Sequence, residues 1–313
     1  MTHRRTAIFS LIAAGMLWGS SVPLSKLSIG WLGPGWLTVG RFALAAPVLA
    51  FVSRRHLRAA WHPRVIAVGA LGFGGVIVLQ NLGIAHTSVT HAAVLVGAMP
   101  VMVAVFTAVL GHSRPVGREW IGYAVASGGI VLVAGSGGGG ATPWGDLLVL
   151  TSVVFSAVFI VLQPKVLDGR DPAAVTAVQF IAGAVVAVPF ALLLQGAPSA
   201  PAHWAPVGAF VALAFAGTLL PFWLFAHGQS KVPAQLAGVF VNIEPVVGTA
   251  IGWIAFADPM SFSQLFGALS VIAGIALTAL PRTPRLLAPI GRAWDGHVYI
   301  QGRLMAHHFD LPS

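Results

Sequence analysis

The residue with the clearest chemical potential in this sequence is a glutamate inside an apolar run. It is Glu244, within FVNIEPVVG at residues 240–248. An ionised residue at the centre of a membrane helix costs about 2.5–3.5 kcal/mol on insertion scales, so it persists mainly where water, a partner charge or protonation relieves that cost. Three interpretations stay open: Glu244 carries a proton, it binds the ammonium group of a solute, or it hydrogen-bonds neighbouring helices in a structural role.

A second charge lies within an apolar segment, and it is Arg41 in VGRFALAAPVL. Two interpretations stay open here as well. The long side chain can snorkel to the outer membrane interface, or the guanidinium pairs with Glu244 or with an anionic solute.

Weaker polar candidates lie in the first apolar segment. Trp18, Ser21 and Ser25 are spaced i, i+3 and i+7, so they share one face of a helix. That face either lines a cavity or packs against another helix, and both interpretations remain.

Two asparagines complete the candidate binding residues. Asn81 lies near the outer end of a predicted span, where it is a candidate solute contact. Asn242 is two residues from Glu244, and two residues turn a helix by about 200°, so both cannot be assumed to line one cavity.

Other chemistry is not supported. The chain has no cysteine, which excludes disulfides and thiolate metal sites or nucleophiles. No histidine pair inside a span has metal-ligand spacing, and no serine, histidine and acid group together as in a hydrolase, so we expect no metal, no cofactor and no enzyme. The segment SGGGGATPWG lacks the Lys and Ser/Thr of a phosphate-binding loop.

The composition indicates that most of the chain lies in a lipid bilayer. Hydrophobic residues make up 57% of the chain, charged residues 8%, and the mean hydropathy is +0.87. Residues 65–113 and 172–230 contain no Lys, Arg, Asp or Glu, and each is long enough for two membrane-crossing helices of about 20 residues. The strict alternation of a membrane β-barrel is absent. We therefore predict an all-α polytopic membrane protein.

The charge-poor segments predict ten transmembrane helices. Their expected ranges are 7–25, 35–52, 65–85, 89–110, 119–135, 145–163, 172–194, 205–226, 233–256 and 261–280.

The basic residues predict the orientation. Of the 17 Lys and Arg residues, all but Lys26 and Arg41 fall in segments that lie on one side if these helices alternate. Basic residues near helix ends stay in the cytoplasm, so we expect both termini there and Lys26 outside. A basic inner face beside anionic lipid accounts for the net charge of +9, and we expect no nucleic-acid partner.

The chain also contains an internal repeat. Residues 83–122 align without gaps with residues 228–267, and WGSSVPLSK from Trp18 aligns loosely with FSAVFIVLQPK from Phe155. An odd number of helices per half makes the repeat inverted. We predict a first five-helix half (7–135), an external glycine-rich linker (136–144), a second half (145–280) and a cytoplasmic basic tail (281–313). In the aligned blocks Gly83 meets Gly228, Met99 meets Glu244, Pro100 meets Pro245, and Gly122 meets Gly267.

The chain resembles the EamA-type members of the drug/metabolite transporter superfamily. The residues that carry the resemblance are MLWGSSVPLSK, VGRFALAAPVL and the two blocks around Pro100 and Pro245. The resemblance implies a secondary active transporter that exports a small organic solute, such as an amino acid, metabolite or drug-like amine, across a bacterial plasma membrane by alternating access.

Three points stay open beside that resemblance. Protons are a candidate coupling partner, since Glu244 titrates. An uncoupled facilitator is the nearest alternative, and a non-transporting membrane protein is the alternative from a different class.

Overall fold

The structure is a computed structural model. It describes residues 2–109, 117–134, 140–232, 237, 240–241, 243–257 and 261–279. Every regular element in these ranges is helical, which confirms the predicted all-α class.

The described helices are numbered in chain order. They are α1 (Thr2–Gly19), α2 (Ser21–Ile29), α3 (Pro34–Val52), α4 (Leu57–Ala60), α5 (Pro63–Gly69), α6 (Val76–Ala85), α7 (Val89–Val96), α8 (Met99–Val109), α9 (Gly117–Ala134), α10 (Pro143–Leu167), α11 (Pro172–Gln195), α12 (Trp204–Ala214), α13 (Leu220–Gln229), α14 (Ile243–Phe256) and α15 (Phe262–Ala279). Two π-helical segments, Ala70–Gly75 and Phe215–Leu219, join α5 to α6 and α12 to α13.

Seven helical stretches in the described residues are long and apolar enough to cross a membrane. Their mean hydropathy runs from 1.6 to 2.3, and two shorter apolar helices, Val246–Phe256 and Phe262–Gly274, follow. The stretches are Arg5–Ile29, Pro34–Val52, Pro63–Ala85, Val89–Val109, Pro143–Leu167, Pro172–Gln195 and Trp204–Gln229. The protein is therefore a multi-pass membrane protein, and the count of ten spans stays a prediction.

Local sequence defines where these helices begin. Proline occupies the first turn of α3, α10 and α11, a position where its missing N–H costs nothing. The Asp171 side chain accepts from the Ala174 N–H at 2.8 Å and caps α11.

The two π-helical segments lie at related positions. Phe215 follows Ala70 by 145 positions, the same offset that aligns the two halves of the sequence. A π turn inserts an extra residue into a helix and is frequent at functional sites. Each segment lies near the middle of a predicted span, and both pack near the centre of the bundle.

Close helix contacts surround that centre. Phenylalanine rings cluster there, with centroids 5.4 Å apart for Phe42 and Phe73, 5.0 Å for Phe42 and Phe180, 5.1 Å for Phe73 and Phe159, and 4.7 Å for Phe73 and Phe222. Helix α1 packs on α13 and α14, and α11 lies along α3.

Gly19 allows α1 to approach α14 closely. A methyl group at Gly19 would overlap the Val247 side chain. We expect Gly19→Ala to destabilise the protein by about 1–3 kcal/mol through overpacking, seen as a lower melting temperature in detergent. Gly208→Ala is the control, because nothing lies within 4 Å of the added methyl there. Equal melting temperatures for both variants would contradict the tight α1–α14 contact.

Candidate functional site

A small, mainly apolar cavity with a few polar groups in its wall lies among the central helices. Its volume is about 70 Å³, which is room for a few water molecules. Both halves of the chain contribute to its wall. The lining residues are Trp18, Ser21, Arg41, Gly72, Ile77, Gln80, Val96, Met99, Ser156, Phe159, Ile160, Phe222, Phe225, Val241 and Glu244.

Arg41 is held in this wall by the second π-helical segment. Its Nε donates to Thr218 Oγ1 at 2.8 Å and its Nη2 donates to the Gly217 carbonyl at 3.1 Å. The Thr218 hydroxyl in turn donates to the Leu213 carbonyl at 2.7 Å, which fixes its orientation.

The snorkelling interpretation of Arg41 is therefore wrong. The side chain is 3% exposed and turns inward to the bundle. A guanidinium has five N–H donors, and within the described part of the chain the two contacts above are its hydrogen bonds. Arg41 itself lines the cavity.

Glu244 brings the opposite charge to the same cavity. It lies in the first turn of α14 and is 7% exposed. No direct ion pair joins its carboxylate to Arg41, although both side chains line the cavity. Met99, its partner in the repeat alignment, lines the same cavity. The site thus holds a buried guanidinium and a buried carboxyl group that line one cavity without a direct ion pair.

Aromatic and hydroxyl groups form the rest of the polar wall. Trp18 packs edge-on against Phe222 with ring centroids 4.8 Å apart. Its buried indole Nε1 has no hydrogen-bond partner among the residues that the structure describes. Ser21 and Ser156 line the cavity, whereas Ser25 is buried outside this lining.

The two asparagine candidates have different positions. Asn81 is fully buried and its Nδ2 donates to Thr38 Oγ1 at 2.9 Å, which ties α6 to α3. Its neighbour Gln80 is the residue that lines the cavity. Asn242 lies outside the described residues.

A second buried polar cluster lies between the turn after α6 and the first turns of α10 and α15. His91 Nδ1 is 3.0 Å from Asp146 Oδ2, and Thr87 Oγ1 donates to Asp146 Oδ1 at 2.5 Å. Gln264 Nε2 lies 2.9 Å from His91 Nε2. Sequence reasoning missed this cluster, because an acid in the first turn of a helix is ordinary and the partners are far apart in the chain.

The cluster predicts a large loss of stability on truncation. Asp146→Ala would leave the Thr87 hydroxyl and the His91 ring without their carboxylate partner, at about 1–3 kcal/mol for each unsatisfied buried group. We expect a clearly lower melting temperature in detergent. Asp168→Ala removes an exposed carboxylate and is the matched control. Equal melting temperatures for the two variants would show that the cluster contributes no stability.

A bundle of membrane-crossing helices around a buried, charge-lined cavity is the architecture of a membrane transport protein. The comparison with protein families gives the same class. Residues 5–135 and, again, residues 143–280 match the EamA-like transporter family. The chain belongs to this family, and its role is transport.

Relatives with similar sequences are transporters. An uncharacterized transporter of Archaeoglobus fulgidus is 27% identical over 88% of this chain and 96% of its own length. The threonine/homoserine exporter RhtA of Salmonella typhimurium is 27% identical, covering 85% of this chain and 90% of its own length. A probable terminal-alkyne amino-acid exporter of Streptantibioticus cattleyicolor is 25% identical, covering 87% and 92%.

The fold is also that of a solved structure. A crystal structure with 20% sequence identity superposes with a TM-score of 0.68, covering 88% of this chain and 96% of that chain. The family assignment confirms the resemblance inferred from the sequence motifs.

Proposed function

We propose that this protein exports small amino acids, as zwitterions, in exchange for protons. The observation that carries the proposal is the pair of buried, opposite charges that share the central cavity without direct contact. A zwitterion presents one carboxylate and one ammonium group, and it complements both charges.

Each charge has a natural partner on such a solute. The guanidinium of Arg41, already oriented by Thr218 and Gly217, would donate to the solute carboxylate. The carboxylate of Glu244 would accept from the solute ammonium group. Trp18 Nε1 and Ser21 supply further hydrogen-bonding groups at the cavity wall.

Proton exchange follows from competition at Glu244. The carboxylate holds either a proton or the ammonium group, because protonation removes the charge that attracts the solute. Entry of a proton would thus release the solute outside. A proton moving along a 100 mV potential supplies about 2.3 kcal/mol, enough for roughly fiftyfold accumulation of a neutral zwitterion.

The cavity must widen during transport. A volume of about 70 Å³ holds water rather than an amino acid. The proposal is therefore that this conformation is contracted, with alternating access opening the cavity to each side in turn. Ser25, Asn81 and Asn242 remain candidate contacts in a wider state.

The proposed topology has ten spans in two inverted halves, 7–135 and 145–280. The linker 136–144 would be external, and both termini with the tail 281–313 would face the cytoplasm of a bacterial cell. Support comes from the repeated family match and the 145-residue offset of the π segments, and from the distribution of basic residues.

The named relatives support the solute class. The name of one refers to threonine and homoserine and that of another to a terminal-alkyne amino acid. All of these are amino acids, in agreement with a cavity that carries both charges.

A counterflow experiment with matched solutes tests the proposal. Proteoliposomes loaded with threonine would be offered labelled threonine, 1-amino-2-propanol or 3-hydroxybutyrate, which retain both, only the basic or only the acidic group. We expect threonine to exchange much faster than either analogue. Equal exchange of either single-charge analogue would overturn zwitterion recognition. Threonine movement without proton movement, recorded with an internal pH dye, would favour the uncoupled facilitator.

A further inference from the structure

Lys26 fastens the end of the first predicted span to the turn between α6 and α7. Its ammonium donates to the Ile84 carbonyl at 2.8 Å and to the Thr87 carbonyl at 2.6 Å. The last carbonyls of a helix lack intrahelical partners and carry partial negative charge, so a cation stabilises them. The contact joins α2 to the turn on what the sequence predicts to be the outer side.

The second half of the chain also has a lysine at a helix end and a turn with backbone carbonyls, but the two are arranged differently. Lys165 lies in the last turn of α10 as Lys26 lies in the last turn of α2, and the two segments of the loose repeat alignment both end in these lysines. The carbonyl positions 145 residues after Ile84 and Thr87 are Gln229 and Val232.

At this second end the lysine and the turn are apart. Lys165, Gln229 and Val232 line one cleft of about 850 Å³. Lys165 is exposed, and within the described ranges no group accepts a hydrogen bond from its ammonium. The lysine–carbonyl contact is therefore formed at the Lys26 end of the molecule and not at the Lys165 end.

We propose that Lys26 and Lys165 are alternating latches, that is, lysines that each hold one end of the protein closed in one of two conformations. In this conformation Lys26 closes the outer end and Lys165 is released; in the opposite conformation Lys165 binds the carbonyls of the Gln229–Val232 turn and Lys26 is released. The inference rests on the inverted-repeat arrangement given under the proposed function. Alternating access rocks one half against the other around a fixed central site, so a contact that closes one end is expected to open as its counterpart at the other end forms.

Both latches connect directly to the central cavity. Lys26 belongs to α2, which also carries the cavity residue Ser21. At the other end Gln229 Nε2 donates to the carbonyl of the cavity residue Ile160 at 2.9 Å. A movement of the Gln229–Val232 turn onto Lys165 would therefore displace the cavity wall.

Thiol labelling of the cavity tests the latches. The chain has no cysteine, so Ser156→Cys places a single thiol in the cavity wall. A membrane-impermeant maleimide would be applied from the outside or the inside of oriented membrane vesicles. Lys26→Met is expected to raise the rate of outside labelling severalfold and to lower inside labelling, and Lys165→Met is expected to do the reverse.

Two controls keep the test specific. Lys26→Arg retains the cation and should label like the parent protein. Lys231→Met removes another cation from the same cleft, one that lies 2.8 Å from His227 Nε2, and should also label like the parent.

The result at Lys165 decides the proposal even if Lys26→Met does not fold, because Lys165 is exposed and its loss should not impair folding. Unchanged labelling in Lys165→Met, or a shift in the direction expected for Lys26→Met, would overturn the latches. The readout needs no transported solute. Labelling shifts without threonine exchange would retain the latches and refute the proposed substrate.

Discussion

Glu244→Gln is expected to abolish threonine export while the protein remains folded and inserted. The amide has the size of the carboxylate but neither attracts an ammonium group nor exchanges a proton. Removing one partner of a buried charge contact costs about 2–5 kcal/mol, which corresponds to at least roughly thirtyfold in transport efficiency. Threonine efflux from energised cells or proteoliposomes measures the loss.

The matched control for Glu244 is Asp168→Asn. It neutralises an exposed carboxylate outside the central cavity and should export at the parental rate. Size-exclusion profiles in detergent would show that both variants are folded. Full export by Glu244→Gln would mean that the carboxylate is structural, the third interpretation drawn from the sequence.

The second large effect is expected at Arg41. Arg41→Met should reduce threonine exchange by about 10- to 100-fold, because a hydrogen bond to a charged group contributes about 1.5–3 kcal/mol. Thr218 keeps its own bond to the Leu213 carbonyl, whereas the Gly217 carbonyl loses its Arg41 donor, so a size-exclusion profile in detergent is needed to show that the variant is folded. Arg41→Lys keeps the charge but cannot reproduce the planar fork, and we expect an intermediate rate.

Solute preference separates a binding role of Arg41 from a structural one. Loss of the carboxylate partner should weaken threonine exchange without weakening that of 1-amino-2-propanol, so the ratio of the two rates falls. Arg54→Met removes a cation that stacks on Phe51 away from the cavity and is the control. If Arg41→Met leaves the ratio of the two exchange rates unchanged, Arg41 has only a structural role.

The sequence predicted the parts of the fold that depend on composition. Long stretches without charge exclude a water-facing surface, and their length matches a bilayer, so helical spans were predictable. Glu244 was predictable as a candidate because an acid there is costly and its repeat partner, Met99, shows that the position tolerates an apolar residue.

The environment of Arg41 was not predictable. Its hydrogen-bond partners, Gly217 and Thr218, are more than 170 positions away in sequence. They are presented by a π-helical segment, whose extra residue changes which groups face inward and leaves no distinct pattern in an apolar run. Snorkelling was the alternative that required no such partner.

The rotation of a helix about its axis was a second feature that the sequence did not predict. Adjacent residues on a helix differ by about 100° in direction, so Gln80 faces the cavity while Asn81 contacts Thr38. Which of the two neighbours faces the cavity depends on how α6 packs against α3 and α10. The Lys26 contact with the turn at Ile84 and Thr87 has the same origin, because a lysine at a helix end is ordinary until the neighbouring turn is known.

The most direct test of the central claim is a simultaneous measurement of threonine and proton flux in proteoliposomes. An imposed pH gradient would drive the reaction, with labelled threonine and an internal pH dye recorded together for the parent protein and Glu244→Gln. The account predicts that threonine and protons cross in opposite directions in the parent and that both fluxes vanish in the variant. Threonine flux that continues in Glu244→Gln, or that never moves protons in the parent, would contradict it.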